Sequence, residues 1–178
     1  KQWSIGTEDR ILFASHDGYT WLPGAPVHDR VMLWRTHAHL IVVDRVVAAV
    51  PHPIVNRVHL HPDLKFETDG PGRWRIDVGP APLWLHQIGS GEARIRQGGD
   101  ESDPRGWYSE RFGEKRPASV LEWSAHPDVR QVLAYAFSGH REFSAMLRIE
   151  ATRVFLDFDS GRGTGCYLIS DHGVELLP

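Results

Sequence analysis

An all-β fold, an antiparallel β-sandwich, is the class that this sequence predicts. Three observations carry the prediction. Short runs of Val, Ile, Leu, Trp, Phe and Tyr recur along 178 residues, punctuated by 12 prolines and 17 glycines. Several runs alternate with period two: in Val154-Phe155-Leu156-Asp157-Phe158-Asp159, Val154, Leu156 and Phe158 share one face and the aspartates the other. No heptad, internal repeat or low-complexity tract competes with that pattern, and no domain boundary is visible, so residues 1–178 read as one domain with a full core.

Taken in order, strands are expected near 10–16, 27–36, 39–48, 54–61, 73–79, 83–88, 92–97, 107–112, 118–125, 130–138, 144–150, 152–158, 165–170 and 173–177. The stretch from Asp128 to Phe137 also fits helical spacing, through Val129, Val132, Leu133 and Ala136. It is read as a strand because it ends at Ser138-Gly139 among strand-like neighbours. Hairpins are expected at Trp34–Leu40, Glu150–Arg153 and Asp159–Gly165. The last holds several glycines but no Gly-Lys-Ser/Thr, so it is no phosphate loop. The polar stretch Gly98 to Pro104 reads as an exposed loop leading into the aromatic Trp107, Tyr108 and Phe112.

Composition narrows the function. Net charge is −3 and the arginines are scattered, which excludes a nucleic-acid binder of the basic-patch kind. No run of about 18 apolar residues exists, so no membrane-spanning helix is expected. The longest apolar run, Leu40 to Val50, is broken by Asp44-Arg45. The single cysteine, Cys166, allows no internal disulfide and reads as an inert, buried thiol. The chain opens at Lys1 with no methionine and no signal peptide, and reads as a fragment of a longer protein. The compartment stays open between cytoplasm and periplasm.

Polar and ionisable residues recur inside the β-type runs, where a purely structural sandwich would carry apolar ones. Ala14-Ser15-His16-Asp17-Gly18-Tyr19 is followed by His28-Asp29-Arg30, by Val43-Asp44-Arg45 and by His59-Leu60-His61-Pro62. A later block runs from Gly106-Trp107-Tyr108 to Gly113, then to Lys115-Arg116-Pro117-Ala118. This ordered set, over residues 10 to 125, resembles the C-terminal β-sandwich of bacterial heparinase II/III-like polysaccharide lyases. The resemblance implies a two-part protein, with an N-terminal α/α-toroid of helices beside the sandwich. It implies cleavage of uronate-containing polysaccharides such as glycosaminoglycans or alginate by β-elimination, in which a base takes the C5 proton and an acid protonates the leaving oxygen. The catalytic tyrosine and histidine of such enzymes have no counterpart that can be matched here, so no catalytic residue is transferred. A divalent metal is carried by some members, outside the motifs matched in this chain. No cofactor is therefore expected in this stretch.

The residues expected at the substrate cleft or the boundary with the helical domain are His16, Asp17, Tyr19, His28, Arg30, His59, His61, Trp107 and Tyr108. Asp17 and Gly18 suit a strand-to-turn junction. Asp44 is expected to pair with an arginine of a neighbouring strand, Arg30 or Arg57. The His59/His61 and His37/His39 pairs have the spacing of half a zinc site, with His16, His28 or Asp44 as further ligands, but no complete set is visible and no metal is expected. Two rival readings stay open: a carbohydrate-binding module, whose cue would be exposed Trp107, Tyr108 or Trp74, and a sandwich that only docks the helical domain.

Overall fold

The computed structural model describes residues 2–177 except 6–8, the first four by backbone alone. Seventeen strands are present, and no helix among the described residues. They are β1 (Gln2–Ile5), β2 (Asp9–His16), β3 (Val27–Arg35), β4 (His39–His52), β5 (Val55–His59), β6 (Lys65–Thr68), β7 (Arg73–Asp77), β8 (Pro82–Ile88) and β9 (Glu92–Gln97). There follow β10 (Trp107–Tyr108), β11 (Arg116–Pro117), β12 (Ser119–Ser124), β13 (Asp128–Ser138), β14 (Ser144–Glu150), β15 (Arg153–Asp159), β16 (Thr164–Ser170) and β17 (Gly173–Leu177). Every pairing is antiparallel.

The central sheet has eight strands in the order β1-β2-β3-β4-β13-β8-β7-β6. Both of its faces are covered. On one side β14-β15-β16-β17 buries Val154, Leu156, Phe158, Tyr167 and Ile169 against Val31, Leu33, Ile41, Val43, Ala134 and Ala136. On the other, β5-β12-β9 buries Val58, Leu121 and Trp123 against Val42, Leu85, Leu133, Tyr135, Trp74 and Ile76. The expected antiparallel sandwich is present, with a third layer added to it.

The third layer explains the sequence around β4. Successive residues of a strand point to opposite faces. Ile41 and Val43 enter one core while Val42 enters the other. A strand covered on both faces needs a continuous apolar run, and Leu40 to Val43 supplies it. The same rule makes Asp128 to Ser138 a strand. Leu133 and Tyr135 serve one core, Ala134 and Ala136 the other, and the segment is paired on both edges, by β4 and β8. Its first residues lie beyond a register shift between Asp128 and Arg130.

The three expected hairpins join β3 to β4, β14 to β15 and β15 to β16. Three strands lie outside the expected set: β1, β6 and β11. Each is short, and β6 has one apolar residue, Phe66, so no alternation marks it. The aromatic strand expected over 107–112 stops at Tyr108, and Phe112 is fully exposed.

Candidate functional site

The geometry of the site follows from the register of β2, β3 and β4. His16 pairs with His28, and Arg30 pairs with Asp44. These four side chains therefore share one face of the central sheet, the face that β5-β12-β9 covers farther along. Opposite parity sends Asp29 and Arg45 to the other face. There Arg45 donates to Asp29 from Nε (2.9 Å) and Nη2 (2.6 Å), and pairs with Asp171 at 2.8 Å.

Asp44 is the hub. Arg30 donates to it from Nε (2.7 Å, to Oδ1) and Nη2 (3.0 Å, to Oδ2). His28 Nε2 lies 2.7 Å from Oδ1, and Asn56 of β5 donates its amide to Oδ2 at 2.7 Å. The Asp44 side chain is only 6% exposed. Burial alone would raise its pKa, but hydrogen bonds from His28 and Arg30 outweigh burial and hold it below the usual carboxylate range. An ionised carboxylate only accepts, so the proton in the His28–Asp44 bond sits on His28 Nε2. His28 Nδ1 and Arg30 Nη1 have no hydrogen bond to any described residue.

Above this hub lies a pocket of about 300 Å³, lined by Tyr19, His28, Arg30, Asp44, Ile54 and Asn56 among others. Tyr19 comes from the turn after β2, where Thr20 N–H donates to the Asp17 carbonyl at 3.0 Å. The ring of His16 lies against Tyr19, centroids 5.4 Å apart, and its Nδ1 accepts from Gly18 N–H at 3.2 Å. A Cβ on residue 18 would fall 2.2 Å from His16 Cε1. Gly18 is thus required by the folded-back histidine, rather than by a positive φ. The arrangement offers a guanidinium edge, an imidazole oriented by a carboxylate, and a phenol around one small cavity. Side chains of these kinds can bind an anionic group through charge-assisted hydrogen bonds.

His16, Asp17, Tyr19, His28 and Arg30 fall in this region. His59 and His61 lie elsewhere, so the expected cleft residues are brought together only in part. β5 belongs to the three-stranded layer, and His59 points to the outer side of it, since Asn56 and Val58 are buried inward. His61 lies past the strand and packs edge-on to Tyr108, centroids 4.7 Å apart. Trp107 is no open stacking platform: Lys115 Nζ sits 4.1 Å over its ring, and its Nε1 donates to the Asp103 carbonyl at 2.9 Å. Trp74 is a core residue beside Phe66. Of the expected partners for Asp44, Arg30 is the one found, and Arg57 binds Glu122 instead.

His37 and His39 do not share a strand face either. His37 takes φ 58° in the turn before β4, and His39 is buried. Among the described residues no group of three His, Cys, Asp or Glu side chains is placed to hold a metal ion. Cys166 is half-buried, and burial together with the hydrogen bond to Asp157 pushes its thiol pKa up.

Asn56 was missed as a site residue. The signal was available: with Val58 and Leu60 inward, period two puts Asn56 inward as well, a polar group on a core face that requires a partner. Removing the partner tests its weight. Asp44→Ala is expected to cost about 2–3 kcal/mol in urea denaturation at unchanged m-value. That is below the range of about 3–5 kcal/mol for fully buried pairs, since Arg30 keeps contact with water.

Residues 4–153 match the family described as "Heparinase II/III-like, C-terminal". The chain belongs to that family. The heparinase II/III-like fold extends past the matched residues, because β15, β16 and β17 complete one of its two cores. Among solved structures, the heparinase III BT4657 gene product aligns with a TM-score of 0.73 at 10% identity, over 96% of this chain and 27% of that one. The heparan sulfate lyase HepC from Pedobacter heparinus aligns with a TM-score of 0.65 at 13% identity, over 99% and 26%. At those identities the likeness is one of fold. This chain spans about a quarter of the length of either structure. No curated protein matches the sequence.

Proposed function

We propose that this chain is the C-terminal β-sandwich of a polysaccharide lyase that cleaves uronate-containing glycans by β-elimination, and that the pocket over Asp44 forms one wall of the substrate cleft. The observation that carries this reading is the convergence of Arg30, His28 and Tyr19 on one cavity, in a member of the heparinase II/III-like family. The fold of the neighbours and their greater length support it. The acid and base of the elimination belong, in this reading, to an N-terminal helical α/α-toroid domain of the same protein. The sandwich contributes position and charge.

Each residue then has a definite task. Asp44 is buried and ionised, so it fixes the Arg30 guanidinium while the Nη1 edge stays available for a uronate carboxylate. Neutralising that carboxylate lowers the barrier to C5 deprotonation, because the electron pair left on C5 when the base takes the proton delocalises into it. His28, held through Nε2, offers Nδ1 to a sugar hydroxyl. Tyr19 gives a ring face and a hydroxyl.

The test uses the full-length protein, with heparan sulfate and alginate as substrates and absorbance of the unsaturated uronate product as readout. Arg30→Gln is expected to lower kcat/KM by about ten-fold or more, a loss of about 1.4 kcal/mol in transition-state stabilisation. The 178-residue chain alone is expected to be inactive. Turnover by the isolated chain, or an unchanged kcat/KM in a folded Arg30→Gln variant, would count against this role.

A further inference from the structure

The outer side of the three-stranded layer carries a second buried carboxylate held between arginines. In the ladder, Glu122 of β12 lies opposite Arg57 of β5 on one side and Arg94 of β9 on the other. The Glu122 side chain is 8% exposed, whereas those of Arg57 and Arg96 are 39% and 37% exposed. Arg57 Nε donates to Oε1 at 2.7 Å, and Arg96 Nε donates to Oε2. The Nη groups of both arginines have no hydrogen bond to any described residue.

The surrounding charges are disposed of differently. Arg105 forks the Asp103 carboxylate from Nε (2.7 Å) and Nη2 (2.8 Å), with Nη1 3.8 Å from Glu122. Arg94 binds Glu92 at 2.9 Å. Four arginines thus meet three carboxylates; Arg57 and Arg96, bound only through Nε, keep both Nη groups open, whereas Arg94 and Arg105 also spend Nη2 on their carboxylates. Although burial pushes the pKa of Glu122 up, the hydrogen bonds from Arg57 and Arg96 bring it below the usual range, so it stays ionised and keeps both guanidiniums in place.

This is the construction of an anion receptor. One carboxylate immobilises two guanidiniums by their Nε edges, so the cost of ordering two long side chains is met before any ligand arrives. The planar Nη edges match the paired oxygens of a carboxylate or sulfate. From this geometry we infer that Arg57 and Arg96, pinned by Glu122, bind sulfate or carboxylate groups of an acidic polysaccharide on the outer face of the three-stranded layer, apart from the Asp44 pocket. The identity of the polymer rests on the lyase reading, while the anion chemistry does not. An acidic glycan fits better than a nucleic acid. Only two guanidiniums here keep both Nη groups open, Glu92 and Asp103 flank them, and the whole chain is net negative, whereas phosphate-backbone binding needs an extended basic stripe.

The experiment follows the arginine side-chain Nε–H signals of the 178-residue chain by NMR at constant ionic strength. The probes are sodium sulfate, a heparan sulfate oligosaccharide, an alginate oligosaccharide, a neutral dextran oligosaccharide and a single-stranded oligonucleotide. The acidic oligosaccharides are expected to shift Arg57 and Arg96 and to bind at least about ten-fold more tightly than dextran. The triple variant Arg57→Gln, Arg96→Gln, Glu122→Gln removes all three charges together and is expected to lose that advantage while staying folded. Should it fail to fold, Arg57→Lys with Arg96→Lys keeps the charge on Glu122 and loses the planar edges, and the same loss is expected. The inference is overturned if no anion shifts these signals, if inorganic sulfate alone does (an adventitious ion only), if the oligonucleotide binds as tightly as the glycans, or if the folded variants bind unchanged. Glycan binding here without turnover by the full-length protein would sink the lyase reading alone. Turnover without binding here would sink this site alone.

Discussion

Acidification from pH 7 to pH 4 is expected to destabilise the fold by several kcal/mol through two buried histidines, His39 and His86. His39 opens β4 and lies against Phe158 and Phe143, ring centroids 5.0 and 5.4 Å away, with neither ring nitrogen hydrogen-bonded to a described residue. His86 of β8 lies 5.2 Å from the same Phe143, with its Nε2 also unpartnered. Burial, reinforced by Arg35 for His39 and by Arg73 for His86, lowers each pKa to about 4. An imidazole in an unfolded chain titrates near 6.5. Between those values the unfolded chain binds more protons than the fold, so stability falls as the pH drops through that window. Above about pH 6.5 both states hold neutral rings and the contribution is complete. Each ring is worth about 3 kcal/mol by the time pH 4 is reached. Urea denaturation at pH 7, 5.5 and 4 reads this directly. The double variant His39→Leu, His86→Leu should flatten the profile across that window. An equally steep loss in that variant would assign the acid sensitivity to other groups.

Trp123→Ala is expected to cost about 3–5 kcal/mol, the range for emptying a buried tryptophan site. Trp123 sits on β12, the middle strand of the three-stranded layer, and is 1% exposed. Its ring meets Tyr135 of the central sheet edge-on, centroids 5.1 Å apart. It is therefore a main apolar contact holding that layer to the central sheet. Its Nε1 is buried without a partner among the described residues. Trp123→Phe keeps a ring and removes an unpaired N–H, so it should cost about 1 kcal/mol or less. For a domain of this size the alanine variant should melt about 10 °C lower. Hydrogen exchange should speed up first in β5, β12 and β9, because their anchor is lost. Equal costs for the two variants, or a uniform acceleration across all sheets, would mean that the layer is held by something other than this side chain.

Local chemistry is what could be read along the chain. Alternation in Val154 to Asp159, glycine and proline punctuation, and the polar breaks in strand-like runs gave the all-β class, most strand positions and the three hairpins. Adjacent residues of a strand point to opposite faces, so Asp44 and Arg45 cannot serve the same one. The ordered motifs from His16 to Pro62 pointed to the family that the match over residues 4–153 bears out. Weakly patterned strands such as Lys65–Thr68 escaped, since one phenylalanine sets no period.

The sequence by itself determined which residues alternate, where the chain turns, and that an aspartate interrupts an apolar strand and needs a cation. Only the tertiary structure decided that the cation is Arg30 and not Arg57, that Asn56 joins them, and that His59 and His61 lie away from His28. The reason is that parity is local whereas sheet membership is not. A period-two pattern tells which side chains share a face, but strand order is settled by long-range pairing and by burial on both faces of the central sheet. β5 carries the same alternation whether it extends the central sheet or covers it. Packing of Val58, Leu121 and Trp123 against Val42, Leu133 and Tyr135 places it in the covering layer, with Arg57 turned outward to Glu122.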